Sequence, residues 1–151
     1  YTLFYFQFIK KNVNGDRHFW TSMYNSTIHN TWAGLAFERV CLQHLDQIKK
    51  ALGFEAVIST AHAWPHRDAQ IDLLIDRNDH TINICEMKFY KSRYQVTEED
   101  MDYMQRRLDT FRNETGTDKA LLLTLITSYG VTPTSDTHQI QSVLTMEDLF
   151  V

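Results

Sequence analysis

Apolar positions recur along this chain with two spacings, one of three to four residues and one of two, and the alternation between them predicts its elements. From Thr31, a fitting N-cap, Phe37, Val40, Cys41, His44, Leu45, Ile48 and Leu52 recur at three- and four-residue intervals. That spacing lines one face of a helix. Gly53 follows as a natural stop, and Lys49 and Lys50 occupy the last turn, where the helix dipole favours cations. The period then shortens. Residues 54–60, 70–76 and 81–89 read as strands, the last two joined into a hairpin through Arg77-Asn78-Asp79-His80. Thr97 and Asp100 make a capping-box-like start, with Glu98 and Glu99 in the first turn, for a helix whose stripe is Met101, Met104, Leu108 and Phe111. Gly116 ends it. The apolar run Ala120–Ile126 predicts a strand covered on both faces. A short strand or turn near residues 142–145 and an amphipathic turn over 146–150 complete the chain. The predicted order is helix, three strands, helix, strand: an α/β domain with a central mixed sheet flanked by helices.

The amino-terminal part is less regular. Residues 1–10, rich in aromatics, read as a strand or helix that packs on something upstream. Residues 11–16 are turn-rich, and 18–30 carry no clear period. The chain starts without Met, so it reads as a fragment of a longer protein. Residues 1–30 are the expected remnant of an interdomain connector, and residues 31–151 the domain proper.

Composition narrows the picture. A length of 151 residues suits one domain, and 43% hydrophobic content is enough for a core. The formal net charge of -4 counts against a tightly binding stand-alone DNA protein, whose phosphate contacts call for basic excess. Cys41 and Cys85 lie inside apolar runs without zinc-ligand spacing, so both are expected as buried, reduced thiols. Reduced thiols fit a cytoplasmic setting, and no apolar run is long enough to span a membrane.

The candidate chemistry lies on the hairpin. Side chains alternate faces along a strand. Gln70, Asp72, Leu74 and Asp76 are therefore expected on one face of their strand, with Ile71, Leu73 and Ile75 on the other. Ile82, Ile84, Glu86 and Lys88 share a face of the next strand, with Glu86 and Lys88 on the order of 7 Å apart. Hairpin pairing can bring Asp72 beside them. Two close carboxylates repel unless a cation intervenes, and hard oxygen ligands suit Mg²⁺ or Mn²⁺. Such an ion polarises a phosphoryl oxygen and acidifies a bound water. Lys88 can orient that water or stabilise charge on the phosphate.

Asp72 followed by Glu86-Met87-Lys88 on the next strand resembles the PD-(D/E)XK nuclease signature, with Ile71 where the motif's Pro often stands. The element order resembles that superfamily's restriction-endonuclease-like core. Residues 32–38, 69–76 and 84–89 resemble, more closely, the C-terminal nuclease-like domain of archaeal-ATPase-type ATP-binding proteins. The resemblance implies a metal-dependent nuclease acting on DNA, with RNA possible. It also implies an upstream P-loop ATPase domain in the same polypeptide; no P-loop motif occurs in this chain. Glu38 falls where many members carry an acidic metal-site residue, so the implied ligands are Asp72, Glu86 and Glu38. A nuclease fold retained for binding or assembly without catalysis is the alternative, and the acidic balance speaks for it.

Other residues carry weaker signals. Arg67, Lys91, Arg93, Arg106 and Arg107 form a sparse basic track for phosphates, although a solvated helix face is the default for Arg106 and Arg107. Tyr90 and Tyr94 can stack on bases or simply pack. Asp76 is expected to stabilise the turn, and His62 and His66 to lie on a loop surface.

Overall fold

Ser26 begins the first long helix because its extended backbone lets the side-chain oxygen accept from the backbone N–H of His29 at 3.2 Å. In the computed structural model, which describes residues 18–24 and 26–151 together with Thr2 and Lys10, a short helix α1 (Phe19–Met23) precedes this one, α2 (Thr27–Gln43). Helical structure therefore starts well before Thr31, and the stretch expected to be irregular holds α1 and the first turn of α2. The expectations for residues 1–10 and 11–16 fall, apart from Thr2 and Lys10, outside the described residues.

The helix expected to run on to Leu52 breaks at His44 and resumes as α3 (Leu45–Ala51). His44 leaves helical geometry, and its Nδ1 lies 2.7 Å from the Val40 carbonyl, the group its own N–H would otherwise address. Gly53 follows α3 at φ 73°, a left-handed conformation that costs glycine little.

The strands are β1 (Ser59–Trp64), β2 (Ile71–Arg77), β3 (Thr81–Lys88), β4 (Tyr94–Gln95), β5 (Ala120–Thr127), β6 (Val131–Thr132) and β7 (Ser142–Thr145), with α4 (Glu98–Thr115) between β4 and β5. The strand expected over residues 54–60 instead begins at Ser59. Phe54 serves the core, with the Arg77 guanidinium 4.1 Å above its ring. His62 accordingly lies on a strand rather than a loop. A 3₁₀ turn, Glu147–Leu149, closes the tail and buries Leu149.

Five strands form one mixed sheet in the order β1-β2-β3-β5-β7. β1, β2 and β3 are a meander of antiparallel neighbours, and β3, β5 and β7 run parallel. A parallel neighbour needs a crossover, and α4 provides it between β3 and β5. Thr97 and Asp100 form a true capping box at its start, and Gly116 ends it at φ 63°.

Helices cover both faces. On one, Met101, Met104, Leu108 and Phe111 of α4 pack over Leu74, Ile82, Ile84, Leu123 and Leu125. On the other, Phe37 and Cys41 of α2 and Ile48 of α3 pack over Leu73, Ile75, Cys85, Met87 and Ile126. Each aliphatic side chain so buried contributes roughly 1.5–3 kcal/mol. This is the arrangement expected of a restriction-endonuclease-like core. Burial pushes the thiols of Cys41 and Cys85 up to about 12, so both are inert, as their apolar settings implied.

Candidate metal and phosphate site

β3 delivers Glu86 and Lys88 at its carboxyl end, where it runs parallel to β5 with Glu86 opposite Leu125 and Lys88 opposite Thr127. Ligand sites in α/β sheets gather at this end of parallel strands. Alternation puts Glu86 on the α4 side of the sheet with Ile82 and Ile84. It is 9% exposed, and both carboxylate oxygens are engaged. Lys88 Nζ lies 3.3 Å from Oε1, and Arg107 Nη1 on α4 donates to Oε2. Lys88 also acts on the start of α4. Burial would raise the Asp100 carboxyl, but hydrogen bonds from Thr97 and Tyr94 and the charge of Lys88 hold it below its usual range.

Asp72 sits where the alternation of β2 breaks. Leu73 and Ile75 pack beneath α2 and Leu74 beneath α4, yet Ile71 joins the α4 side. The pairing with β1 slips by one residue at the same place. The expected grouping of Ile71 with Leu73 and Ile75 therefore fails, because a bulge turns the strand at Asp72. Asp72 is half-buried, and its Oδ1 accepts from Gln70 Nε2 at 2.7 Å.

Glu38, half-buried on α2, ties the set together. Burial raises its carboxyl above the ordinary value of 4.5, and repulsion from Asp72 and then from Glu86 raises it further. The charges of Asp72 and Glu86 thus both reach Glu38.

Residues 5–103 match the DUF234 family, described as archaea bacterial proteins of unknown function. The chain belongs to that family. No curated protein matches it. The DUF234 match takes in Glu38, Asp72, Glu86 and Lys88 and stops within α4, ahead of Arg107.

By donor chemistry, three carboxylates fit a hard divalent cation in this DUF234 domain. Among the described residues, no group of three or more His, Cys, Asp or Glu is arranged to hold an ion as it stands. Arg107 and Lys88 each pair with one oxygen of Glu86. Thr127, opposite Lys88, adds a buried hydroxyl with no hydrogen-bond partner.

The other basic candidates divide. Arg67 and Arg93 are exposed. Lys91 donates to the Tyr24 carbonyl and sits 3.9 Å from the centre of the Tyr24 ring, beside a depression lined by Asn30, Phe89, Tyr90 and Ser92. Tyr90 and Tyr94 stack on each other at 4.1 Å, the packing alternative. Arg106 lies on the solvated face of α4, as expected. Arg107 does not; it is 8% exposed and faces the sheet. The signal was in the spacing, because Met104, Arg107, Leu108 and Phe111 fall at i, i+3, i+4 and i+7 and put Arg107 inside the apolar stripe. Asp76 is also reassigned. Instead of stabilising its turn it pairs with Lys119, clasping β2 to the segment ahead of β5.

The pH consequence of Glu38 has a definite sign. A carboxyl raised by folding stabilises fully below its unfolded value and loses that contribution as pH rises through the folded one. In chelator, Glu38→Gln should raise Tm at about pH 7 by about 1 °C, after discounting for solvent screening, and match the parent near about pH 4. Paired thermal melts across that range check it; equal Tm values throughout would remove Glu38 from the cluster.

Proposed function

We propose that this DUF234 domain is a PD-(D/E)XK-type nuclease that binds Mg²⁺ or Mn²⁺ and hydrolyses DNA phosphodiester bonds, in the cytoplasm, as the C-terminal part of a larger ATPase. One observation carries the reading: Glu38 feels both Asp72 and Glu86, and Lys88 lies 3.3 Å from Glu86 at the carboxyl end of a parallel strand pair. Asp72, Glu86 and Glu38 are the residues to hold the ion. When bound, it supplies Lewis-acid stabilisation of the phosphoryl oxygens and an acidified water. Lys88 is placed to orient the attacking water or to stabilise charge on the phosphate. Glu86 keeps the Lys88 ammonium at the site, and Asp100 offers it a second anionic neighbour.

A second reading is supported by the closed ion pairs on Glu86: a nuclease fold kept for nucleic-acid binding or assembly. Calorimetric titration with Mn²⁺ separates the two. The nuclease reading expects binding near neutral pH that Asp72→Asn weakens at least about tenfold. Heat-silent titrations, with equilibrium dialysis also showing no bound Mn²⁺, favour the non-catalytic module. Assays on DNA and RNA substrates then decide between the two polymers.

A further inference from the structure

Arg107 is held in an unusual way. Its Nη1 donates to Glu86 and its guanidinium lies 4.5 Å from the centre of the Tyr103 ring, yet its Nε is buried and has no hydrogen-bond partner. Buried N–H groups are nearly always paired, so this one has a hydrogen bond still to give. Next to it is a cavity of about 270 Å³ lined by Asp68, Tyr103, Arg106, Arg107 and Thr110. Its lining sets two guanidinium groups and the Tyr103 and Thr110 hydroxyls, the donors that recognise a phosphate, against one carboxylate, Asp68, and arginine matches phosphate oxygens in pairs.

We infer that Arg107 gates the site: in the metal-free protein it occupies the Glu86 oxygen that a cation needs, and once released it binds a backbone phosphate in the adjoining cavity together with Arg106. This rests on the metal-site reading and goes beyond it. Oε2 of Glu86 cannot serve the Arg107 guanidinium and a divalent cation equally, because both are cations competing for one lone-pair region. Release of Arg107 exposes a charge beside Arg106, so metal and phosphate binding reinforce each other, and by linkage the coupling is reciprocal. Arg107 is thus a positioning residue for Glu86 and a contact residue for nucleic acid.

The test is calorimetry on the full chain, with Mn²⁺ and with thymidine bisphosphate, which offers phosphates but no phosphodiester to cleave. Arg107→Met should bind Mn²⁺ at least about tenfold more tightly than the parent, and Arg107→Lys, which keeps a cation but loses the planar fork, should fall between them. Thymidine bisphosphate should bind the parent more tightly when Mn²⁺ is saturating, and that gain should vanish in Arg107→Met. Should Arg107→Met fail to fold, Arg107→Lys alone decides the matter by the direction of its change. Equal or weaker Mn²⁺ binding by the variants, with the parent binding Mn²⁺ and Asp72→Asn not, overturns the gate and leaves the metal site standing. Absence of Mn²⁺ binding in parent and variants alike overturns both.

Discussion

On the proposed nuclease reading, replacing Lys88 with Ala should lower Mn²⁺-dependent cleavage by about 10²–10³-fold, the usual cost of removing one donor that stabilises charge in the transition state. The fold survives the change. Lys88 is at the end of β3, its side chain is 28% exposed, and its pair with Glu86 at 3.3 Å is partly solvated. A pair of that kind contributes no more than about 1 kcal/mol. Mn²⁺ affinity also changes little or rises, because an ammonium is removed from beside the carboxylates. The result to look for is a fall in kcat with binding retained. A variant that cleaves at the parental rate takes Lys88 out of the reaction, and one that loses Mn²⁺ binding as well points to a structural role.

The largest stability change is expected at Glu86. Glu86→Ala strands Arg107 in a setting where its side chain is only 10% exposed, and a buried charge deprived of its partner costs about 3–5 kcal/mol. For a chain of this length that is a drop of about 10 °C in Tm. Glu86→Gln keeps an oxygen to accept from Arg107 and costs less. The double variant Glu86→Ala, Arg107→Met removes both charges and recovers most of the loss, which isolates the pair from the packing around it. Denaturant unfolding of the four proteins measures the cycle. If Glu86→Ala alone costs under about 1 kcal/mol, Arg107 finds water or another anion easily and the pair is not a buried one.

These two experiments probe one carboxylate from opposite sides. On the nuclease reading, catalysis needs Glu86 available to a cation, whereas stability benefits from Glu86 tied to Arg107. The functional proposals therefore turn on how readily that tie is exchanged, and measurements in chelator and in Mn²⁺ are the informative comparison.

Local order in this protein is legible in its sequence because local order is periodic. The β2–β3 hairpin, the capping box of Thr97 and Asp100, the stop at Gly116 and the doubly covered strand β5 all follow from a two-residue or 3.6-residue repeat and from residues with strong terminal preferences. The pairing of an acidic-and-basic face on β3 with a neighbouring strand follows from the same alternation, so Glu86 and Lys88 stand together as expected. Contacts decided by packing across the sheet were out of reach. The break at His44 depends on a ring nitrogen reaching the Val40 carbonyl, and the bulge at Asp72 depends on how β1 meets β2. Arg107 lies 21 residues from Glu86, and nothing in either local pattern names the other. By itself the sequence determined the β2–β3 hairpin, the capped helix α4 and the covered strand β5, since backbone geometry sets those periods. Only the tertiary structure decided which carboxylate meets which cation, since that choice depends on how α4 docks over β3.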